Sequence, residues 1–79
     1  MTEPREWTVS DANGVIGLAH EGMIVASWAA DSINSVRSTG DGVLIVDCDG
    51  IYNAKPGAEL AIVIDELTRA WRKEKTDVG

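Results

Sequence analysis

An α+β domain, with an antiparallel sheet of about five strands in meander-like hairpins and a C-terminal helix packed on one face, is predicted by three features of the sequence. Turn dipeptides ending in glycine recur at Asn13-Gly14, Glu21-Gly22, Asp41-Gly42 and Asp49-Gly50. Apolar runs of strand length lie between them. After Lys55-Pro56-Gly57, apolar residues return every three or four positions, which is the period of one helical face.

Asn-Gly and Asp-Gly suit two-residue hairpin loops because both residues tolerate φ > 0. The runs Arg5–Ser10, Val15–His20, Met23–Trp28, Val43–Cys48 and Ile51–Ala54 are therefore read as strands. A two-residue loop at Asn13-Gly14 pairs Ser10 with Gly17, Val9 with Leu18 and Trp7 with His20, placing Trp7, Val9, Ile16 and Leu18 on one face. Continuing through Glu21-Gly22 pairs Leu18 with Val25 and His20 with Met23, so Met23 and Val25 join that face as core. Ile24, Ala26 and Trp28 then point the other way, above Gly17 and Ala19.

Two segments, NGVIGLAHEGMI from Asn13 and DGVLIVDCDGIY from Asp41, resemble each other at an offset of 28. Duplication accounts for this, and so does shared turn chemistry in two unrelated hairpins. Residues Ala29–Thr39 are read as a short helix or turn capped by Asp31, with Ile33 and Val36 on one side. The alternative is an edge strand, Ile33–Ser38, entering a hairpin at Thr39–Gly42. The last element, Pro56–Lys75, carries Leu60, Val63, Ile64, Leu67, Ala70 and Trp71 on one face. Pro56 suits the first turn; Glu59 at the start and Arg69, Arg72, Lys73 and Lys75 at the end match the helix dipole.

With 79 residues the chain is read as one domain, 1–79, with flexible ends at 1–4 and 76–79. A single cysteine, Cys48, permits no intramolecular disulfide, which points to a reducing, cytoplasmic compartment. No apolar run approaches a membrane span and the N-terminus has no signal-like apolar stretch, so neither export nor anchoring is expected. The net charge is −6 and unevenly placed: residues 1–66 hold eleven acidic and three basic side chains, residues 67–79 four basic and two acidic. An acidic body repels phosphate and attracts basic protein surfaces. The expected partner is thus a protein with a basic surface, with no nucleic acid bound directly and no membrane.

No catalytic constellation is read from the residues, and no cofactor or metal is expected. His20 is the only histidine, and nothing in the spacing brings it to the Cys48 thiol. Counting from Asp47, the glycine of Asp47-Cys48-Asp49-Gly50 falls fourth, not sixth as a calcium loop requires, so a hairpin turn is the better reading. One cysteine and one histidine cannot complete a zinc shell. The glycines form no phosphate-cradling motif.

The residues that stand out for binding are carboxylates in or beside turns, Asp11, Glu21, Asp31, Asp41, Asp47 and Asp49, with Trp28 and Tyr52 as apolar anchors. Spaced carboxylates can occupy a groove whose Lys and Arg side chains otherwise hold phosphate. In size, in the acidic body with its DG and NG turns and in the helix PGAELAIVIDELTRAW, the chain resembles the small anti-CRISPR inhibitor proteins carried by phages. That resemblance implies a compact α+β inhibitor blocking the DNA-binding surface of a CRISPR effector subunit. The basic tip WRKEK departs from a uniformly acidic mimic and leaves room for a second kind of contact. The alternative expectation is a self-assembling scaffold or accessory subunit of a phage or cellular complex, joined through an exposed strand edge or the helix flank carrying Ile62 and Arg69.

Overall fold

The computed structural model describes residues 5–77, with side chains through residue 75. Six strands run in order: β1 (Trp7–Ala12), β2 (Val15–His20), β3 (Met23–Ala29), β4 (Ser35–Ser38), β5 (Leu44–Asp47) and β6 (Ile51–Ala54); the helix α1 (Leu60–Asp77) follows. The chain is α+β, but the strands form two three-stranded antiparallel meanders, β1-β2-β3 and β4-β5-β6, in place of one sheet of about five.

The cause lies in residues 29–39, where both readings of the sequence are partly realised. A 3-10 turn at Ala30–Ser32 breaks the ladder after β3, and Ser35–Ser38 then forms a sixth strand that pairs forward with β5. The expected flexibility of 1–4 and 78–79 falls outside the described residues, while the backbone of Thr76 and Asp77 belongs to α1.

The first hairpin has the register its turn dictates, with Trp7 opposite His20, Val9 opposite Leu18 and Ser10 opposite Gly17. Positive φ at Asn13 (54°) and Gly14 (80°) is what a two-residue loop of this type demands. The second hairpin begins as expected, with His20 opposite Met23 and φ positive at Glu21 and Gly22. The ladder then slips: Ala19 faces Ile24, Leu18 faces Ala26, and Val25 is the extra residue of a β-bulge.

That slip overturns the sequence expectation for β3. Trp28 is turned inward and is only 9% exposed, whereas Val25, expected in the core, is 45% exposed; Met23, also expected there, keeps its register opposite His20 but is 72% exposed at the start of the strand. Magnitudes explain why the bulge wins. An indole buries about 200 Å², worth about 5 kcal/mol at about 25 cal/mol per Å², against about 1 kcal/mol for a lost ladder hydrogen bond.

The helix packs against both meanders and closes one shared core. Ile16, Leu18 and Trp28 come from the first meander, Ala30 and Ile33 from the crossover, Leu44 and Val46 from the second meander, and Val63, Leu67 and Ala70 from α1. Pro56 is buried and opens a 3-10 turn, Gly57–Glu59, that leads into the helix. No helix among the described residues is long and apolar enough to cross a membrane.

Candidate protein-binding surface

Apart from Asp11, the turn carboxylates fall in the β2-β3 turn, the β4-β5 loop, and the crossover with the β5-β6 turn. Glu21 is exposed in the β2-β3 turn. Asp41 is exposed in the β4-β5 loop, which Thr39 organises: its Oγ1 accepts from the N–H groups of Asp41 (3.2 Å) and Val43 (3.3 Å). Asp31 lies in the 3-10 turn of the crossover, and Asp47 and Asp49 lie at the end of β5 and in the β5-β6 turn. There Asn34 donates its N–H to the Asp47 carbonyl at 2.7 Å, and Cys48 closes the β5-β6 turn by donating its N–H to the Gly50 carbonyl at 2.9 Å. Asp31 and Asp49 are exposed and Asp47 half-buried.

Asp11 belongs with a different set. Its half-buried carboxylate lies 3.3 Å from Lys73 Nζ, in a shallow cavity of about 240 Å³ lined by Val9, Asp11, Glu66, Arg69, Ala70 and Lys73. Arg5 forks onto Glu66 through two bonds of 2.8 and 2.7 Å, and Arg69 pairs with Asp65 one helical turn away. The Glu66 hydrogen bond is the main cause that raises the Arg5 pKa. Lys75 sits 4.9 Å over the Trp71 ring. The basic C-terminal segment is therefore engaged within the molecule along α1. Among the described residues the side chains of Asp31, Asp41, Asp47 and Asp49 carry no such partner.

The two proposed aromatic anchors lie on inner faces. Trp28 meets Tyr52 edge to ring at 5.4 Å, and burial raises the Tyr52 phenol pKa. The outward placement expected for Trp28 is corrected by the β3 bulge, and the buried ring is not available as an anchor. His20 stacks on Trp7 at 4.2 Å, with its Nε2 4.0 Å from Glu21. Cys48 is half-buried against the core, its thiol turned to the Gly50 carbonyl at 3.4 Å. No three His, Cys, Asp or Glu side chains among the described residues come close enough to hold a metal ion.

Sequence reasoning missed two carboxylates that hold elements together. Glu59 accepts from Glu6 N–H (3.0 Å) and Trp7 N–H (2.8 Å) at the start of β1. Glu74, only 6% exposed, accepts from Gly14 N–H in the first hairpin turn. A signal for Glu74 was present: it follows Leu67, Ala70 and Trp71 at seven, four and three positions, so it lies on the apolar stripe and not on the solvated face. Glu59 gives no such signal. No protein-family model, no curated protein and no solved structure matches this chain.

Proposed function

We propose that the chain is a non-enzymatic, acidic binding protein that inhibits a basic nucleic-acid-handling protein by occupying its phosphate-binding surface. The observation that carries this reading is the asymmetry of charge pairing. Arg5, Arg69 and Lys73 lie against Glu66, Asp65 and Asp11, while Asp31, Asp47 and Asp49, in the crossover and the β5-β6 turn, have no cationic partner among the described residues. Lys and Arg side chains that grip phosphates offer such carboxylates charge-assisted hydrogen bonds. A CRISPR effector subunit is one target of this kind, as the resemblance to anti-CRISPR proteins implies.

The crossover end is the better candidate face because a net charge of −6 steers a basic partner from a distance but does not orient it. Orientation comes from carboxylates held on short, hydrogen-bonded turns, which lose little entropy on binding. The test uses immobilised protein, a lysate rich in nucleic-acid-processing complexes and a salt gradient. Capture of a basic nucleic-acid-binding protein is expected to fall with salt and to be competed by added DNA. Asp31→Lys with Asp49→Lys should weaken it by about tenfold or more. Capture that withstands both charge reversals, together with Asp47→Lys, excludes this face.

A further inference from the structure

Among the described residues, every edge strand but one is guarded. β1 runs beside α1, with its Trp7 N–H taken by Glu59 and its Asp11 beside Lys73. β4 is four residues long and carries Arg37; β6 is also four residues long and runs into Lys55. β3 has seven residues, MIVASWA, with no charge and no proline, and β2 covers only one of its sides. Among the described residues its only protection is the bulge at Val25. Soluble proteins blunt edges with charge, proline, short length or bulges because an open edge templates another strand.

The ladder shows which backbone groups are open. Ala30 donates its N–H to the Gly14 carbonyl at 2.8 Å, which fixes the phase of the β2-β3 pairing. Opposite residues alternate between bonded and non-bonded pairs. Trp28 and Ala26 therefore bond to β2, whereas the N–H and C=O of Ser27 and Ala29 point away from the sheet.

Around this edge the side chains are apolar or small. Met23, Ile24 and Val25 are exposed, as is Val15 in the next strand. Ile24 reaches over Gly17, where its Cδ1 would lie 3.6 Å from an added Cβ. Within the three strands no charged residue falls on the outer face, whose other members are Thr8, Ser10, Ala12, Ala19, Ser27 and Ala29; Glu6 and Glu21, bonded through their backbones, flank it at one end.

We infer that β3 pairs antiparallel with β3 of a second copy of this chain, joining two three-stranded meanders into one six-stranded sheet. Charge selects the occupant. A basic partner is drawn to the acidic turns and gains nothing electrostatically from a face without charge, whereas a copy with the same net charge of −6 can approach closely only where charge is absent. A two-fold axis makes the edge self-complementary, since each outward donor meets the same strand's outward acceptor. With Ser27 opposite its own copy, Val25 falls opposite Ala29, so a larger apolar side chain meets a small one. This pairing leaves Asp31, Asp47 and Asp49 out of the strand interface and is independent of the proposed inhibitory role.

Sedimentation equilibrium from low micromolar to several hundred micromolar, with amide exchange on the same samples, tests the pairing. A monomer–dimer equilibrium is expected, with the Ser27 and Ala29 amides exchanging more slowly as concentration rises. Added salt should strengthen the dimer by screening like charges, the reverse of its effect on capture of a basic partner.

Ser27→Pro removes an N–H that β2 does not use, so the monomer fold should survive while the dimer dissociation constant rises by about tenfold or more. Val25→Lys places a charge on the edge with the same expected effect, and it carries the test should Ser27→Pro fail to fold by far-UV circular dichroism. A strict monomer across the range overturns the inference. So does a dimer that folded Val25→Lys leaves unchanged, whether its second strand comes from another edge or its contact from the helix flank at Ile62.

Discussion

The carboxylate of Glu59 accepts from two successive backbone donors, and the Glu6 bond first, then the Trp7 bond, holds its pKa below the ordinary value. A carboxylate with a lowered folded-state pKa contributes stability that is fully present above its unfolded value and is lost as pH falls through the folded one. Removing the charge removes that dependence. Glu59→Gln is expected to destabilise the fold near neutral pH, with the gap from the parent protein closing as pH falls below about 4. Denaturant melts at several pH values check this; a gap that is constant with pH would exclude the carboxylate as its source. Sequence reasoning placed Glu59 at the start of the helix for its charge, and its partners lie 53 and 52 residues away, a separation that no local pattern encodes.

At the scale of elements, the turns were legible and the faces of one strand were not. Asn13-Gly14 specified both a loop length and a register, and the ladder of the first hairpin follows from it residue by residue. Glu21-Gly22 specified its turn equally well, but alternation beyond it assumed a regular strand. The inserted residue at Val25 exchanged the two faces from Ala26 onward. Nothing in MIVASWA marks the bulge, because every side chain in it is compatible with either face. The helix was legible from its apolar period, but it begins at Leu60, after a 3-10 turn over Gly57–Glu59, and not at Pro56, and it runs two residues beyond Lys75. Glu74 and Lys73 fasten it to the first hairpin, at Gly14 and Asp11. Glu74→Ala leaves the Gly14 N–H without its acceptor and should cost about 1–3 kcal/mol, with Glu74→Gln, which keeps an oxygen, costing less. Thermal melts of the two variants measure the difference; equal losses would show that packing of the side chain, and not its hydrogen bond, matters.

For the whole molecule, the sequence repeat acquires a structural meaning. An offset of 28 carries β2 onto β5 and the buried pair Ile16 and Leu18 onto Leu44 and Val46, so the matching segments are the central strands of two similar meanders. Each meander is too small to bury its apolar face alone, and α1 supplies the common cover. The two should therefore unfold together: far-UV circular dichroism and tryptophan fluorescence at low micromolar concentration should give coincident transitions. Leu67→Ala, at the centre of the shared core, should lower stability by about 2–5 kcal/mol in both signals equally. Separate transitions would instead mean that each meander is a unit of its own. The candidate binding residues were less legible than the fold, because sequence shows that carboxylates sit in turns but not which segments are joined, and the crossover that carries Asp31 is tied to β5 by the Asn34 N–H on the Asp47 carbonyl. Gly14 gives its N–H to Glu74 and receives the N–H of Ala30, so a growing chain holds the β1-β2 turn before the acceptor that Gly14 uses in the fold, 60 residues further on, has been made. Native structure here has to wait for synthesis of the helix, and a nascent chain stalled before Glu74 would present an unfinished hairpin to chaperones and proteases.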